Sequence, residues 1–243
     1  MSDPRQGQAG EPLAQPPTEP GIALHMAVVL LVTASGAVEA ISFTALDHVF
    51  AGVMTSNIAL LGMAIGRGQA TGVTAAVLAL TGFGVGAAVT AWLTRRREGV
   101  ATHWSPPVMF CLAGEVVVLA VGAGIWAAVG GEPGQGARDA LQFGAAATMG
   151  IQSAAMVAAG RAAAPTTYLT GTLATYIVKG VGAGSPDRWA PARLAALVVG
   201  AAASMALLRA APEWAGVLPV VLAVCAVVAA GLPLVRMRRS SVG

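Results

Sequence analysis

Residues 54–66 read MTSNIALLGMAIG, and residues 166–180 read TTYLTGTLATYIVKG. Both stretches turn apolar along their length, yet both open on hydroxyls and amides where a helix facing lipid would carry aliphatic side chains. The segments that contain them, about Phe50–Gly66 and Thr166–Gly184, fall short of the roughly 20 apolar residues a helix needs to cross a bilayer. Whether they cross sets the number of membrane passes and the orientation of every segment after them.

The rest of the chain makes a membrane setting unavoidable. Of 243 residues, 56% are hydrophobic and 10% charged, against about 25% charged in an ordinary soluble domain. Mean hydropathy is +0.73. Six long apolar segments surround the two short ones: Ile22–Leu46, Thr71–Thr94, Pro107–Val129, Asp139–Gly160, Ala192–Ala211 and Ala215–Val235. Thirty-one glycines suit close helix packing in lipid. These features exclude a soluble enzyme, a disulfide-rich secreted domain and a disordered protein. Residues 1–21, rich in proline, read as a disordered tail without the apolar core of a cleaved signal. Cys111 and Cys225 both lie in apolar segments and read as buried, inert thiols. No metal motif is present, and no cofactor is expected.

Two halves are visible. Val85-Gly86-Ala87-Ala88 recurs as Val199-Gly200-Ala201-Ala202, an offset of 114 that Arg95 and Arg209 share. Thr55-Ser56-Asn57 aligns with Thr170-Gly171-Thr172 at 115, and Glu39 with Gln152 at 113. The expected division is a first membrane repeat at 22–129, a linker at 130–138, a second repeat at 139–235 and a basic tail at 236–243. If all eight segments cross, the 14 Lys and Arg residues divide nine to five between the two sides; if the short segments turn back, they divide eleven to three. The second division fits the positive-inside rule better. The fold expected is therefore an all-α polytopic membrane helix bundle, with about six spanning helices, two short or re-entrant segments and a two-fold internal repeat. Three crossings per half would set the halves in opposite orientations.

Glu39 sits about two-thirds along the first segment, where a charged acid costs roughly 2.5–3.5 kcal/mol on insertion scales. It reads either as a proton- or cation-handling group facing the bundle interior or as an acid bonded across a helix interface. Ser35 and Ser42 share its face. Thr55, Ser56 and Asn57, with Thr166, Thr167, Thr170 and Thr172, form two polar clusters at the short segments. Such clusters in matching positions of two repeats mark a transporter binding site; locally, the same residues cap helices or bond back to carbonyls. Ser56 and Gly171 stand where backbone would approach a solute or another helix closely. Gln152 reads as a neutral partner for a solute or for Glu39, or as glue between helices. Glu115 is a second carboxylate or a peripheral acid. Asp47 and His48 read as a solvated turn. The runs Gly82-x-Gly84-x-Gly86 and Gly180-x-Gly182-x-Gly184 lack the features of phosphate loops and fit small-residue packing, as does Gly62-xxx-Gly66.

Two motifs carry a resemblance. Gly36-Ala-Val-Glu39-Ala-Ile-Ser42-Phe-Thr-Ala-Leu46, followed by Val53-Met-Thr55-Ser56-Asn57, resembles the first motif of the YoaK-like membrane proteins, a domain of unknown function numbered 1275. Met149-Gly-Ile-Gln152-Ser153-Ala-Ala155, then Pro165-Thr166-Thr167-Tyr-Leu169-Thr170-Gly171-Thr172-Leu173, is similar to that family's other motif. The chain departs from the pattern with Glu39 for a common Asp, Ser56 for Gly and Ser153 for Asn. The resemblance implies a bacterial inner-membrane protein with about six spanning helices and implies no substrate.

The function expected from the residues is a small-solute secondary transporter, its site built from Glu39, Thr55, Ser56, Asn57, Gln152, Thr167, Thr170, Gly171 and Thr172. The alternative is a non-transporting scaffold or sensor whose polar motifs fix helix packing. Nothing argues for an enzyme. The partners expected are the lipid bilayer and a small solute or proton, with homo-oligomerisation open and no nucleic acid.

Overall fold

The computed structural model describes residues 21–95, 103–160, 163–167, 169–182 and 187–240, with side chains as far as residue 231. Its helices are α1 (Ile22–Ala45), α2 (Met54–Gly66), α3 (Ala70–Thr94), α4 (Pro106–Ala128), α5 (Gln135–Ala159), α6 (Thr170–Gly182), α7 (Ala190–Ala210) and α8 (Val217–Ser240), with a 3₁₀ turn at Pro212–Trp214. Two boundaries differ from expectation. Helix α5 takes in the last four residues of the expected linker, 135–138, where Arg138 bonds back to the Pro133 carbonyl at 2.9 Å and Gln135 to Asp139 at 3.0 Å within the first turns. Helix α8 continues through Arg236–Arg239, a stretch of good helix formers, instead of giving way to a tail at 236.

Helices α1, α3, α4, α7 and the stretch Pro212–Gly231 are long and apolar enough to cross a membrane. Helix α5 has 25 residues, about 37 Å at 1.5 Å per residue. It is less apolar because its polar residues face other helices: Gln142, Thr148, Gln152 and Ser153 are all buried.

Two apolar clusters mark the ends of the bundle. At one end Leu24 of α1, Val108 of α4, Ala159 of α5, Ala196 of α7 and Ala230 of α8 pack around Trp104. At the other, Ile41, Trp126, Leu141 and Ala215 pack together, with Leu207 and Leu208 of α7 against them. Helices α1, α4, α5, α7 and α8 therefore each run the full length. So does α3, from Ala75 beside Val49 to Arg95 beside Val157.

Helices α2 and α6 do not. Each has 13 residues, about 20 Å against a hydrocarbon core near 30 Å. After α1, Asp47 and His48 adopt φ of 62° and 59°, a left-handed pair that turns the chain back. The chain dips to the level of Glu39, and α2 then climbs out to Arg67, which lines a surface recess with Asp47. The end of α1 and the start of α3 thus lie on the same side. After α5 the reversal comes at Gly160, φ 58°. The chain returns to the level of Gln152 before α6, and α7 begins where α5 ended. Arg138, at the start of α5, sits 3.7 Å from Asp47 at the end of α1, which requires an even number of passes between them. Both short segments are re-entrant.

Helix pairing joins the two halves of the chain. Helix α1 packs on α7 and α8, and α5 packs on α3 and α4. Backbones meet where glycine removes the side chain. A Cβ on Gly36 would run into the Leu197 carbonyl and one on Gly200 into the Thr33 carbonyl. Likewise Gly150 abuts the Phe83 carbonyl and Gly86 that of Ala147. Gly82 also packs this way, against Phe143, whereas Gly62, Gly66, Gly84 and Gly182 face open space; the small-residue reading holds for Gly82 and Gly86 of α3 but not for Gly84 or for these glycines of the re-entrant helices. Cys111 is buried, as expected, but Cys225 is exposed on the outer face of α8.

Candidate functional site

The loop between α1 and α2 cannot form helix, so the peptide groups of residues 49–52 need partners inside the bundle. Side chains supply them. The N–H of Gly52 donates to Glu39 Oε1 at 2.7 Å and that of Ala51 to Oε2 at 2.9 Å. Asn57, from the first turn of α2, accepts from the Phe50 N–H at 2.9 Å and donates to the Phe50 carbonyl at 2.6 Å. Ser42 Oγ lies 2.7 Å from both the Val49 carbonyl and Gln142 Oε1. The Phe50 ring stacks on Phe43, centroids 4.7 Å apart. Gly52 has no room for a side chain between Glu39 and Met149. The acid thus serves as acceptor for two adjacent backbone donors, a strong use of a carboxylate.

The second loop is held by side-chain groups. Gln152 Nε2 donates to Ser35 Oγ at 2.9 Å and to Thr166 Oγ1 at 2.7 Å. The Ser153 and Thr167 hydroxyls are hydrogen-bonded to each other. Beside them a cavity of about 180 Å³ is lined by Ser153, Met156, Pro165, Thr166 and Thr167. A second cavity of about 140 Å³, apolar, lies between α1, α4, α5 and α8, bounded by Val38, Leu119, Trp126, Leu141 and Thr148.

The structure therefore gathers Glu39 and Asn57 around the first loop and Gln152 and Thr167 around the second. Ser35 links α1 to the second loop. Thr55 is exposed and Ser56 half-buried at the start of α2; Thr170 and Gly171 are exposed on α6, and Thr172 lies at the edge of the core. Gly171 has open space where a Cβ would stand, so no close approach occurs there. Gln142 escaped the sequence reading, although an amide about two turns before Met149 and nearly three before Gln152 on the same helix was a visible signal. The backbone donors of residues 50–52 have no side-chain signature at all.

A family model described as protein of unknown function (DUF1275) matches residues 27–230, which takes in both loops and reaches every helix of the bundle. The chain belongs to the DUF1275 family. This DUF1275 chain is 34% identical over 148 residues to the UPF0700 transmembrane protein YoaK of Bacillus subtilis (strain 168). That match covers 61% of the chain and 63% of the relative, so it spans less than two thirds of the relative's length. No solved structure matches the DUF1275 chain. With its helix lengths and apolar outer surface, the DUF1275 chain is a multi-pass membrane protein in contact with lipid.

Proposed function

We propose that this DUF1275 chain is a secondary transporter for a small solute in the bacterial inner membrane, with its site near the midplane between two inverted halves. The observation that carries the reading is the pair of re-entrant helices, α2 and α6, each entered through a loop tied to polar side chains inside the bundle. Interrupted helices in corresponding places of two halves are where transporters build their sites. The close-approach glycines support the repeat: Gly36 and Gly150, Gly86 and Gly200, and the carbonyls they meet, Thr33 with Ala147 and Phe83 with Leu197, all keep an offset of 114. That offset sets Glu39 opposite Ser153 instead of Gln152. In this reading Glu39 and Asn57 hold one loop, Gln152, Ser153 and Thr167 the other, and Thr55, Ser56, Thr170, Gly171 and Thr172 stand at the mouths of the re-entrant helices. Proton uptake at Glu39 would remove an acceptor from the Ala51–Gly52 peptide pair and so couple charge to loop position.

One observation favours the scaffold reading: both Glu39 oxygens and both ends of the Asn57 amide are already bonded to the chain itself. The two readings separate in proteoliposomes. Transport predicts that a broad panel of labelled small solutes includes at least one whose uptake depends on the protein and responds to an imposed pH gradient. Failure of the wild type on the whole panel gives the scaffold reading the site.

A further inference from the structure

Between the cluster around Trp104 and the cluster of Val38, Ala51, Leu119 and Met149 lies a polar layer. On α1 Ser35 falls between Leu31 and Val38; on α4 Glu115 falls between Leu112 and Leu119; on α5 Gln152 falls between Met156 and Met149; on α8 Ala226 follows Ala223. In each case the first residue belongs to the cluster around Trp104 and the second to the cluster of Val38, Ala51, Leu119 and Met149, apart from α8, where the small Ala226 and Ala223 serve the two clusters in turn. Spacings of three and four residues keep each set on one helix face. Three helices thus turn one polar side chain each into the same level, sealed above and below by apolar packing.

The hydrogen bonds of this layer do not close. Glu115 and Gln152 are 0% exposed. Among the described residues neither Glu115 oxygen has a donor, and Gln152 Oε1 has none either, although Gln152 Nε2 donates to both Ser35 and Thr166. Three buried acceptors therefore lack anything positive to accept from. Buried polar groups in native proteins are satisfied, by protein or by a bound species. An oxygen-only set that includes one carboxylate suits a small hard cation and carries the unit charge that would neutralise one.

We propose that Glu115 and Gln152 form a buried site for one small monovalent cation, a proton or an alkali ion, at the centre of the bundle. Ser35 orients the Gln152 amide by taking its N–H, which leaves Oε1 free for the ion. The titratable groups nearest to the layer are few. Glu39 lies one turn beyond Ser35 on α1, with both oxygens committed to the loop. Cys111 lies one turn before Glu115 and is bonded to Thr90 of α3. Helices α5 and α8 face the layer with Gln152 and Ala226, neither of which titrates. The site rests on burial and unmet hydrogen bonding, so it stands whether or not a solute moves.

Binding is therefore read without any gradient, on the full chain in detergent, by thermal unfolding in NaCl, KCl and choline chloride at equal ionic strength. A ligand held by the native state raises the midpoint. If the ion is an alkali cation, NaCl or KCl raises the wild-type midpoint over choline by on the order of 2–4 °C, and Glu115→Gln loses the rise. If it is a proton, the salts are equivalent, and the infrared difference between wild type and Glu115→Gln contains a carboxyl band that changes between about pH 5 and pH 9, apart from any Glu39 band that both proteins share. Should that variant fail to fold, Gln152→Met, which removes the amide oxygen at similar volume, weakens alkali binding by at least about tenfold. A wild type with no salt-specific shift and no carboxyl band that Glu115→Gln lacks overturns the proposal, as does a Glu115→Gln protein that keeps the salt response.

Discussion

The carboxylate of Glu39 answers two peptide N–H groups at once, and this changes what its substitution should do. A glutamine has one carbonyl oxygen, so Glu39→Gln leaves either Ala51 or Gly52 facing an NH₂ group. An orphaned buried donor costs about 1–3 kcal/mol, or about 2–4 °C of midpoint per kcal/mol in a chain of this size. Thermal unfolding in detergent should show that loss for Glu39→Gln and a larger one for Glu39→Leu. Taken from the sequence alone, a neutral amide looks like a good copy of a protonated acid; the paired donors make it a poor one. Asn57→Ala should likewise cost about 1–3 kcal/mol, because it strands both the N–H and the carbonyl of Phe50. That Glu39 and Asn57 would find polar partners was legible because an acid or amide in an apolar setting is expensive. Their partners were not legible, since a peptide group looks the same at every position and only the fold brings residues 50–52 to the level of Glu39.

At the scale of elements, the turn residues and the glycines decide the architecture. Replacing Gly200 with Leu should force α1 and α7 apart at the Thr33 carbonyl and cost about 1–3 kcal/mol or more, whereas Gly62→Leu, with nothing near its Cβ, should shift the unfolding midpoint little. The sequence shows glycines in both places; helix contacts alone separate them. The start of α7 is tied down by Asp187, whose carboxylate accepts from Arg193 Nη2 at 2.5 Å and from the Trp189 N–H at 2.8 Å. Burial pushes the Asp187 carboxyl up, but these bonds, the Arg193 charge and nearby His25 outweigh it and hold the carboxyl below its ordinary 3.8. Because the folded value is the lower one, the pair stabilises above the ordinary range and its contribution fades as pH falls through the folded value. Asp187 is 45% exposed, and solvent screening limits the effect to about 1 kcal/mol. Asp187→Asn should therefore lower the unfolding midpoint at neutral pH, and the gap to wild type should close on acidification below 3.8. The shortness of α2 and α6 was plain in the sequence. Their direct return to the side they came from depends on the positive-φ residues at 47–48 and 160, which Gly160 announces most plainly by residue type, Asp47 and His48 more weakly.

For the molecule as a whole, the two ends differ in charge. Arg67 and Arg138 lie at the Trp126 end, where α7 also brings Arg209, while Arg95 and Arg193 lie at the other. Arg67, Arg138 and Arg209 are the whole share of one side in the eleven-to-three division of the 14 Lys and Arg residues, so the positive-inside rule predicts the Trp104 end on the cytoplasmic side. In a background lacking Cys111 and Cys225, a membrane-impermeant thiol reagent added to intact cells should label Arg138→Cys and spare Arg95→Cys; the reverse pattern would invert the orientation. The cross-pairing of helices has a further consequence, for the order in which the protein can be made. Helix α1 is synthesised first, yet the surfaces it docks on, α7 and α8, are synthesised last. For most of translation Gly36 stands in lipid or beside the insertion machinery without the Leu197 backbone it meets in the finished bundle, and the α1 face closes only when α7 and α8 arrive. A ribosome that stops after α6 leaves a chain with its first helix unsatisfied, a natural mark by which membrane quality control can tell an unfinished copy from a finished one.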